Sequence, residues 1–250
     1  MLSKNKIKYV NSLSIKKNRK EERVFVAEGN KLVTDLISSL SCKMLIATSE
    51  WLECNKGVIA EETVCATHDE IKKISQQKTP QDVIAIFYQP QHDMPKNIGQ
   101  DNICLVLDDI QDPGNLGTIV RIADWFGIED IVCSPNSADI YNSKVVQATM
   151  GAIARVRVHY TDIKTFLIDK KENIYGTLLD GDNIYEKELS RNGFIVMGNE
   201  GNGISQEVRE LINSKLYIPN YPKGRNTSES LNVAIATSIV CAEFRRRESL

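Results

Sequence analysis

The sequence predicts an α/β protein whose second half is a mostly parallel sheet with helices on both faces. Strand-like and helix-like segments alternate throughout residues 103–250, which is typical of βαβ units. The strand-like segments, such as ICLVLDDI at 103–110, are almost wholly apolar, as strands buried on both faces should be. In such sheets ligands bind beyond the carboxyl ends of the strands, so we expect the functional residues in the loops that follow them.

The predicted elements define two halves. In the first half, the strands are VFVAEG, KMLIAT, TVCAT and DVIAIFY, and the helices are NKLVTDLISSL and HDEIKKIS. In the second half, ICLVLDDI is followed by a helix from Asn115, the strand DIVCS, a helix over 142–150, the strand ARVRVHY, the helix DIKTFLIDKK, the strands IYGTLLD and GFIVMGNE, the helix ISQEVRELI, the strand KLYIPN and a long helix from about Glu229. These halves predict a smaller α/β domain over 1–90, a polar linker over 91–102 and a larger domain over 103–250.

Composition and charge indicate a globular protein without a membrane segment. The 250 residues are 42% hydrophobic and 26% charged, with a net charge of −2, which is ordinary for a soluble domain. No apolar run reaches the length of a bilayer span, and the basic start of the chain lacks the apolar region of a signal peptide. The six cysteines form no C-x-x-C pair and lie near no histidine at zinc spacing. They predict buried, reduced thiols, a cytoplasmic location and no metal site.

Positive charge is concentrated towards the two ends of the chain. Residues 1–25 contain eight basic residues against two acidic ones, and Arg245, Arg246 and Arg247 lie near the other end. Such a segment is either a solvated terminus or an electrostatic footprint for nucleic acid. Charge alone does not decide between these interpretations.

The first candidate loop is DDIQDPGNLGTIVR at 108–121. Its Asp-Pro-Gly segment at 112–114 favours a turn, and Asn115 is expected to cap the following helix. Arg121 lies off the apolar stripe of that helix and one turn after Gly117. Arg121 is therefore either an ordinary surface arginine or a cation that faces the crevice above the sheet.

Two further loops combine glycines with polar side chains. IVMGNEGNGIS at 195–205 presents Glu200 at the end of a predicted strand, on a backbone that a ligand can approach closely. Its spacing is not G-x-G-x-x-G, so a dinucleotide site is a weak fit. YIPNYPKGRNTSESLNVAIATS leads from a strand ending at Ile218 into the last helix, where Ser228, Glu229 or Ser230 is a candidate cap.

Together and in this order, N-x-G-x-x-x-R, G-N-E-G-x-G and I-P…S-L-N-V resemble the three motifs of the SpoU/TrmH family of S-adenosylmethionine-dependent RNA 2′-O-ribose methyltransferases. The resemblance extends to FG at 126–127 and MGAI at 150–153, and the segments SKNKIKYVNSLSIKKNRKEERVFVAEGNKLVTDLI and TPQDVIAIFYQP look like the family's N-terminal RNA-binding domain. It covers residues 3–247. It implies a deep trefoil knot of the SPOUT type in the C-terminal domain, a homodimer, and S-adenosylmethionine as the methyl donor.

The resemblance also assigns two sets of residues, motif by motif. The set implied to face the ribose and carry the catalysis is Arg121, Asn115, Glu200, Ser230 and Asn232. The set implied to bind the cofactor is Thr177, Leu178, Gly198, Asn199, Gly201, Ile218 and Leu231. No metal is implied, because the sulfonium donor is already activated.

The family proposal makes Arg121 a general base that the substrate phosphate assists. A guanidinium is very hard to deprotonate in a protein, so gripping phosphate and stabilising the developing alkoxide is physically easier. The loop between Ile218 and Leu231 is longer than the family's usual turn, and its Lys223 and Arg225 are candidate RNA contacts.

The resemblance favours ribosomal over transfer RNA as the substrate, because the N-terminal segment is similar to that of the ribosomal-RNA members. The basic residues of this segment, with Arg155 and Arg157, are expected to follow the RNA backbone. Two alternatives are a transfer-RNA 2′-O-methyltransferase and an RNA-binding protein that keeps the fold without the activity. A nucleotide-dependent oxidoreductase is disfavoured, because the G-x-G-x-x-G turn is missing.

Overall fold

The computed structural model of the chain describes residues 2–222, 225, 228 and 230–248. Two predictions lie outside the described residues: Lys223 as an RNA contact, and Glu229 as a helix start or cap. The chain divides into two compact units. The first comprises Met1–His92 with Asp139–Ala154, and the second comprises Asp93–Ala138 with Arg155–Leu250.

Ten helices and ten strands are present in the described residues. In chain order they are α1 Lys4–Ser12, α2 Lys16–Glu22, β1 Val24–Glu28, α3 Asn30–Ile37, β2 Cys42–Ala47, α4 Ser49–Cys54, β3 Glu62–Cys65, α5 His68–Lys72, β4 Val83–Tyr88, β5 Ile103–Leu107, α6 Pro113–Trp125, β6 Asp130–Cys133, α7 Ser143–Thr149, β7 Arg157–Tyr160, α8 Ile163–Leu167, β8 Ile174–Asn183, β9 Gly193–Met197, α9 Gln206–Arg209, β10 Ser214–Tyr217 and α10 Val233–Glu248, with a 3₁₀ turn at Ala152–Ala154.

The first unit contains a four-stranded mixed sheet in the order β1-β4-β2-β3. Strand β4 is antiparallel to both β1 and β2, whereas β3 is parallel to β2. All four strands lie where the apolar segments predicted them. Helix α3 covers the sheet through Leu32, Val33 and Leu36, which are buried at the predicted helical spacing.

The basic N-terminal segment is helical, which the sequence did not indicate. Helix α2 contains no apolar residue, but the side chain of Arg19 is only 4% exposed. Its guanidinium donates to the carbonyl oxygens of Leu13 and Ser14 at 2.8 Å and pairs with Asp139 at 2.6 Å. The expectation that Arg19 follows an RNA backbone is therefore wrong, because its guanidinium is buried in the first unit and bonded to groups of the protein.

Residues 139–154 pack with the first unit, although the predicted division places them in the second domain. The reason is apolar packing. Val145 and Val146 of α7 are buried, and the Tyr141 ring lies 5.3 Å from that of Phe25 in β1. These contacts join residues that are far apart in the sequence, so the local sequence pattern does not predict them.

The predicted linker over 91–102 also differs in the structure, because residues from Asp93 onward pack in the second unit. Ile98 is buried in the core with Phe194. Gly99 has a φ of +81°, and a Cβ there would lie 2.3 Å from the Phe194 ring. Only glycine fits this close approach.

The second unit is built on a six-stranded sheet in the order β10-β8-β9-β5-β6-β7, and every strand pair is parallel. The prediction of a mostly parallel sheet is confirmed. Strands β5 and β9 are buried along their whole length, as their apolar sequences require. The trefoil knot remains a prediction.

The two helices that follow the first and the third candidate loops begin at other residues than predicted. Helix α6 starts at Pro113, two residues before Asn115, because the side chain of Asp112 accepts from the Asn115 backbone N–H at 2.7 Å and caps the helix. Helix α10 starts at Val233, after Asn232. In both cases a side-chain oxygen that satisfies free N–H groups sets the boundary.

The cysteines are only partly as predicted. Cys42, Cys104, Cys133 and Cys241 are buried free thiols, whereas Cys54 and Cys65 are exposed. Burial raises the pKa of Cys42 to about 11 and that of Cys241 to about 12, so these two thiols stay protonated and unreactive at neutral pH. The expectation of burial is wrong for Cys54, the last residue of α4, and for Cys65, which lies on the exposed face of the edge strand β3.

Candidate active site

The predicted site residues lie in the segments that follow strands β5, β9 and β10 and in a bulge within β8. These strands are neighbours in one parallel sheet, so their carboxyl ends share one edge. Every residue of the two predicted sets belongs to the second unit.

Three of the predicted catalytic residues are joined by hydrogen bonds. The side-chain nitrogen of Asn115 donates to the carboxylate oxygen Oε1 of Glu200. The side-chain nitrogen of Asn232 in turn donates to Oδ1 of Asn115 at 3.0 Å. The three motifs therefore meet through Glu200, Asn115 and Asn232.

Asn232 has a second task at the start of α10. Its Oδ1 accepts from the backbone N–H of Ala234 at 3.0 Å and of Ile235 at 3.3 Å. Asn232 is therefore the helix cap, which corrects the assignment of this role to Ser228 or Ser230. The same amide caps α10 with its oxygen and reaches Asn115 with its nitrogen.

Arg121 and Ser230 are not joined to these three residues. Arg121 is exposed on α6, and no hydrogen bond or ion pair to its guanidinium occurs within the described part of the chain. Gly117, one turn earlier, is buried. Ser230 is exposed ahead of α10 and makes no bond with the other four residues of its predicted set.

The GNEGNG turn is closed by its own backbone. Asn199 and Gly203 exchange two N–H···O bonds of 3.0 and 2.9 Å. A Cβ on Gly198 would lie 2.4 Å from the Gly203 carbonyl carbon and from the Ile204 nitrogen. Position 198 therefore requires glycine, because both obstacles are backbone atoms.

Asn199, which was assigned to the cofactor, has its side chain engaged within the protein. Its nitrogen donates to the Asp109 carbonyl oxygen at 2.8 Å, and its oxygen accepts from the N–H groups of Gly201 and Asn202 at 2.9 and 3.0 Å. The side chain of Asn199 thus shapes the turn.

The remaining cofactor residues lie on β8 and after β10. Strand β10 pairs with Gly176 and then with Asp182 of β8, so residues 177–181 project out of the ladder. Within this bulge the Thr177 hydroxyl donates to the Val196 carbonyl oxygen at 3.3 Å, and Leu178 is half-buried against the core. Ile218 is half-buried directly after β10, and Leu231 is exposed.

The residues that hold the loop after β5 belong to no motif in the sequence. The buried Asp108 carboxylate accepts from the Ser205 N–H at 2.7 Å. The hydroxyls of Ser134 and Ser137 accept from the N–H groups of Asp109 and Ile110 at 2.9 and 3.2 Å. An aspartate at the end of an apolar strand was the only available signal for this role.

Two of the predicted RNA contacts are held in ion pairs. Arg155 bonds to Asp124 at 2.7 and 2.8 Å, and Arg157 bonds to Asp130 at 2.6 and 2.8 Å. Burial alone would raise the pKa of Asp130, but hydrogen bonds from Arg157 and His159 outweigh burial and lower it to about 2. Asp130 is therefore ionised at neutral pH and partly neutralises Arg157.

The first unit has a separate cleft of about 520 Å³ that residues of α3 and α4 line. Three carboxylates, Asp35, Glu50 and Asp82, line it together with a single lysine, Lys31. This negative lining disfavours RNA phosphates. In the described residues, no group of three or more His, Cys, Asp or Glu side chains is arranged to hold a metal ion.

No helix within the described ranges combines the length and the apolar character that crossing a membrane requires.

The part of the chain that contains these site residues matches a known protein family. Residues 102–242 match the SpoU rRNA Methylase family, and this match covers more than half of the chain. The chain belongs to the SpoU rRNA methylase family. Residues 4–85 match a second model, the MRM3-like substrate binding domain.

Individual relatives are similar to this protein over almost the whole chain. The 23S rRNA (guanosine(2553)-2′-O)-methyltransferase RlmP of Bacillus subtilis is 27% identical over 245 residues, which is 96% of each chain. A solved structure from Porphyromonas gingivalis, assigned to the TrmH family of RNA methyltransferases, is 41% identical with a TM-score of 0.88 and covers 99% of both chains. The AdoMet-bound rRNA methyltransferase of Sinorhizobium meliloti is 29% identical with a TM-score of 0.84, covering 99% of this chain and 97% of that one.

Proposed function

We propose that this protein transfers a methyl group from S-adenosylmethionine to a ribose 2′-hydroxyl of ribosomal RNA. One observation carries the proposal: in a chain of the SpoU family, Glu200, Asn115 and Asn232 from three separate loops meet through side-chain hydrogen bonds. The curated relatives include a 23S rRNA 2′-O-methyltransferase aligned over 96% of this chain, which favours ribosomal RNA.

The residues present fit S-adenosylmethionine. The bulge of β8 and the loops that follow β9 and β10 lie along one edge of the sheet, and Gly201 and Gly203 leave the backbone of the turn open to a ligand. Leu178, Ile218 and Leu231 offer apolar surface that suits an adenine ring. When bound, S-adenosylmethionine supplies a methyl group that is already activated on a sulfonium.

The protein's own residues then have to orient the ribose and stabilise charge. The 2′-oxygen gains the methyl group and its proton passes to solvent, so negative charge develops on this oxygen during the reaction. Arg121 has no bonding partner among the described residues, so its guanidinium is available to hold a phosphate and to stabilise that charge. Asn115 uses one of its two amide hydrogens on Glu200 and keeps the second for the ribose.

The first unit supplies positive charge for the RNA. Lys8, Lys16, Lys17 and Lys20 are exposed, whereas Arg19 is buried. The match of residues 4–85 to a substrate binding domain supports placing the RNA on this unit. Phosphate contacts give affinity without sequence preference, so these lysines hold the substrate and do not choose the nucleotide.

We further propose a homodimer and a knotted second unit, which the family resemblance implies, and a cytoplasmic location, which the cysteine usage predicts. Two helices leave large apolar side chains exposed, Trp125 on α6 at 84% and Ile235 on α10 at 54%. Exposed apolar groups of this size commonly mark a protein–protein contact.

The decisive experiment is to map 2′-O-methyl sites in total RNA from cells with and without the gene. Loss of one site in ribosomal RNA, restored by the wild-type gene, is the expected result. Loss of a site in transfer RNA would assign the alternative substrate. An unchanged map, with RNA binding retained by the purified protein, would assign the alternative of an RNA-binding protein without activity.

A further inference from the structure

The turn that presents Glu200 is attached to the loop after β5 at both of its ends. At one end the Asn199 side-chain nitrogen donates to the Asp109 carbonyl oxygen at 2.8 Å. At the other end the Ser205 backbone N–H donates to the Asp108 carboxylate at 2.7 Å. Between these points the turn is closed by the paired backbone bonds of Asn199 and Gly203, which join its two ends to each other.

Asp108 provides the stronger of the two attachments. Asp108 is only 6% exposed. A hydrogen bond to a carboxylate is about twice as strong as a hydrogen bond between two neutral groups. The backbone N–H of Asp108 donates to the Met197 carbonyl oxygen at 2.9 Å. Asp108 therefore holds both the strand that enters the turn and the residue that leaves it.

The loop after β5 is itself fixed on its other side. Ser134 and Ser137 accept from the N–H groups of Asp109 and Ile110, and Asp109 has a φ of +60°, a region that few side chains adopt. This loop leads directly to α6, whose first turn carries Asn115. The positions of Asn115 and Glu200 are thus set by one connected group of hydrogen bonds.

We propose that Asp108 is a positioning residue for methyl transfer, which sets Glu200 opposite Asn115 by holding the Ser205 amide. The proposal rests on the function proposed above. Without this carboxylate, the end of the turn at Ser205 loses its hydrogen bond to the loop after β5, and the side-chain attachment at Asn199 remains. Glu200 then no longer reaches Asn115, although neither residue has changed.

The test compares Asp108→Ala, Asp108→Asn and Ser205→Pro with an exposed control in the same unit, Asp169→Ala. Asn keeps an oxygen that can accept from Ser205. Pro removes the N–H, and the Ser205 φ of −58° suits a proline. We expect Asp108→Ala and Ser205→Pro to lower kcat by about 10- to 100-fold, with KM for RNA changed by less than about threefold. Asp108→Asn should recover most of the missing activity.

A double-mutant cycle separates positioning from simple stabilisation. If Asp108 acts through Glu200, Asp108→Ala in a Glu200→Ala background should lower kcat by less than about threefold. Losses that multiply, or a kcat of Asp108→Ala equal to that of the control, would overturn the proposal.

A second readout does not need activity. Hydrogen exchange of the Asn115 side-chain amide should be faster in Asp108→Ala and Ser205→Pro than in the wild type or the control. Unchanged exchange would refute the positioning role. An inactive wild type with the expected exchange pattern would instead count against the proposed methyl transfer.

Discussion

The side-chain nitrogen of Asn232 lies 3.0 Å from Oδ1 of Asn115, so the starts of α10 and α6 meet through two amides that are 117 residues apart in sequence. Because Asn232 also caps α10, its replacement affects both stability and activity. The two effects can be separated by the choice of substitution.

Asn232→Ser should keep the cap but be too short to reach Asn115, whereas Asn232→Ala should lose both. We expect the alanine variant to lose about 1 kcal/mol of unfolding free energy relative to the serine variant. Both should lose methyltransferase activity to a similar extent. Thermal unfolding and kcat measured on the same samples check this, and full activity of Asn232→Ser would contradict the role of the hydrogen bond to Asn115.

Arg121→Ala should lower kcat by about 100-fold or more, since it removes a charge that acts on the developing alkoxide. S-adenosylmethionine affinity, measured by calorimetry, should change by less than about twofold. Arg121→Lys should restore little, because an ammonium cannot form the paired contacts of a guanidinium. Arg191→Ala, an exposed arginine of the same unit, is the matched control. Equal turnover of Arg121→Ala and wild type would exclude both roles considered for Arg121.

Gly198→Ala should destabilise the protein by about 1–3 kcal/mol, because the added carbon would meet backbone atoms at 2.4 Å. Gly57→Ala is the control for stability, since its Cβ would meet nothing within 4 Å. The bound cofactor should stabilise wild type against heat and stabilise Gly198→Ala much less. A Gly198→Ala protein that unfolds and binds like wild type would show that the turn can relax around the added carbon.

Because the pKa of Asp130 is lowered, we expect part of the protein's folding stability to be lost in acid. This pKa falls from the ordinary 3.8 to about 2 in the folded protein, so the carboxylate stabilises the fold above pH 4. This contribution disappears as the pH falls through 2. Urea unfolding between pH 5 and 2 should therefore show a smaller decline for Asp130→Asn than for wild type. Asp169→Asn should decline as wild type does, and identical slopes for all three proteins would refute the prediction.

Replacing Lys16, Lys17 and Lys20 by glutamate should weaken RNA binding and reduce its salt dependence. The slope of log Kd against log salt should fall by about 0.7–0.9 for each lysine–phosphate pair that the substitutions remove. Lys171→Glu is an exposed control in the second unit. RNA binding that is unaffected by the triple change would place the RNA elsewhere.

Hydrophobic patterning predicted the strands of both sheets, because β1, β5 and β9 are buried along their length and so contain almost only apolar residues. It did not predict α1, α2 or α4. Helix α2 lacks an apolar face, and its stability depends on bonds between Arg19 and distant groups. Patterning also did not predict that residues 139–154 belong to the first unit, because long-range contacts hold them there.

For the site, the three motifs identified Asn115, Glu200 and Asn232, whose side chains do meet. They did not identify Asp108 or show that Asn199 is engaged within the turn, because both act through backbone groups of other loops. Such contacts leave no spacing pattern in the sequence.

The assignment of Asp139–Ala154 to the first unit has a practical consequence for dissecting the protein. The chain passes between the units at three points, so no single cut yields both intact. A fragment that stops at residue 92 leaves the Arg19 guanidinium without the Asp139 carboxylate and uncovers β1 where Tyr141 and α7 pack. Truncation at the apparent domain boundary is therefore expected to give an aggregating fragment. A fusion that joins 2–92 to 139–154 through a flexible spacer should fold and allow RNA binding to be measured alone.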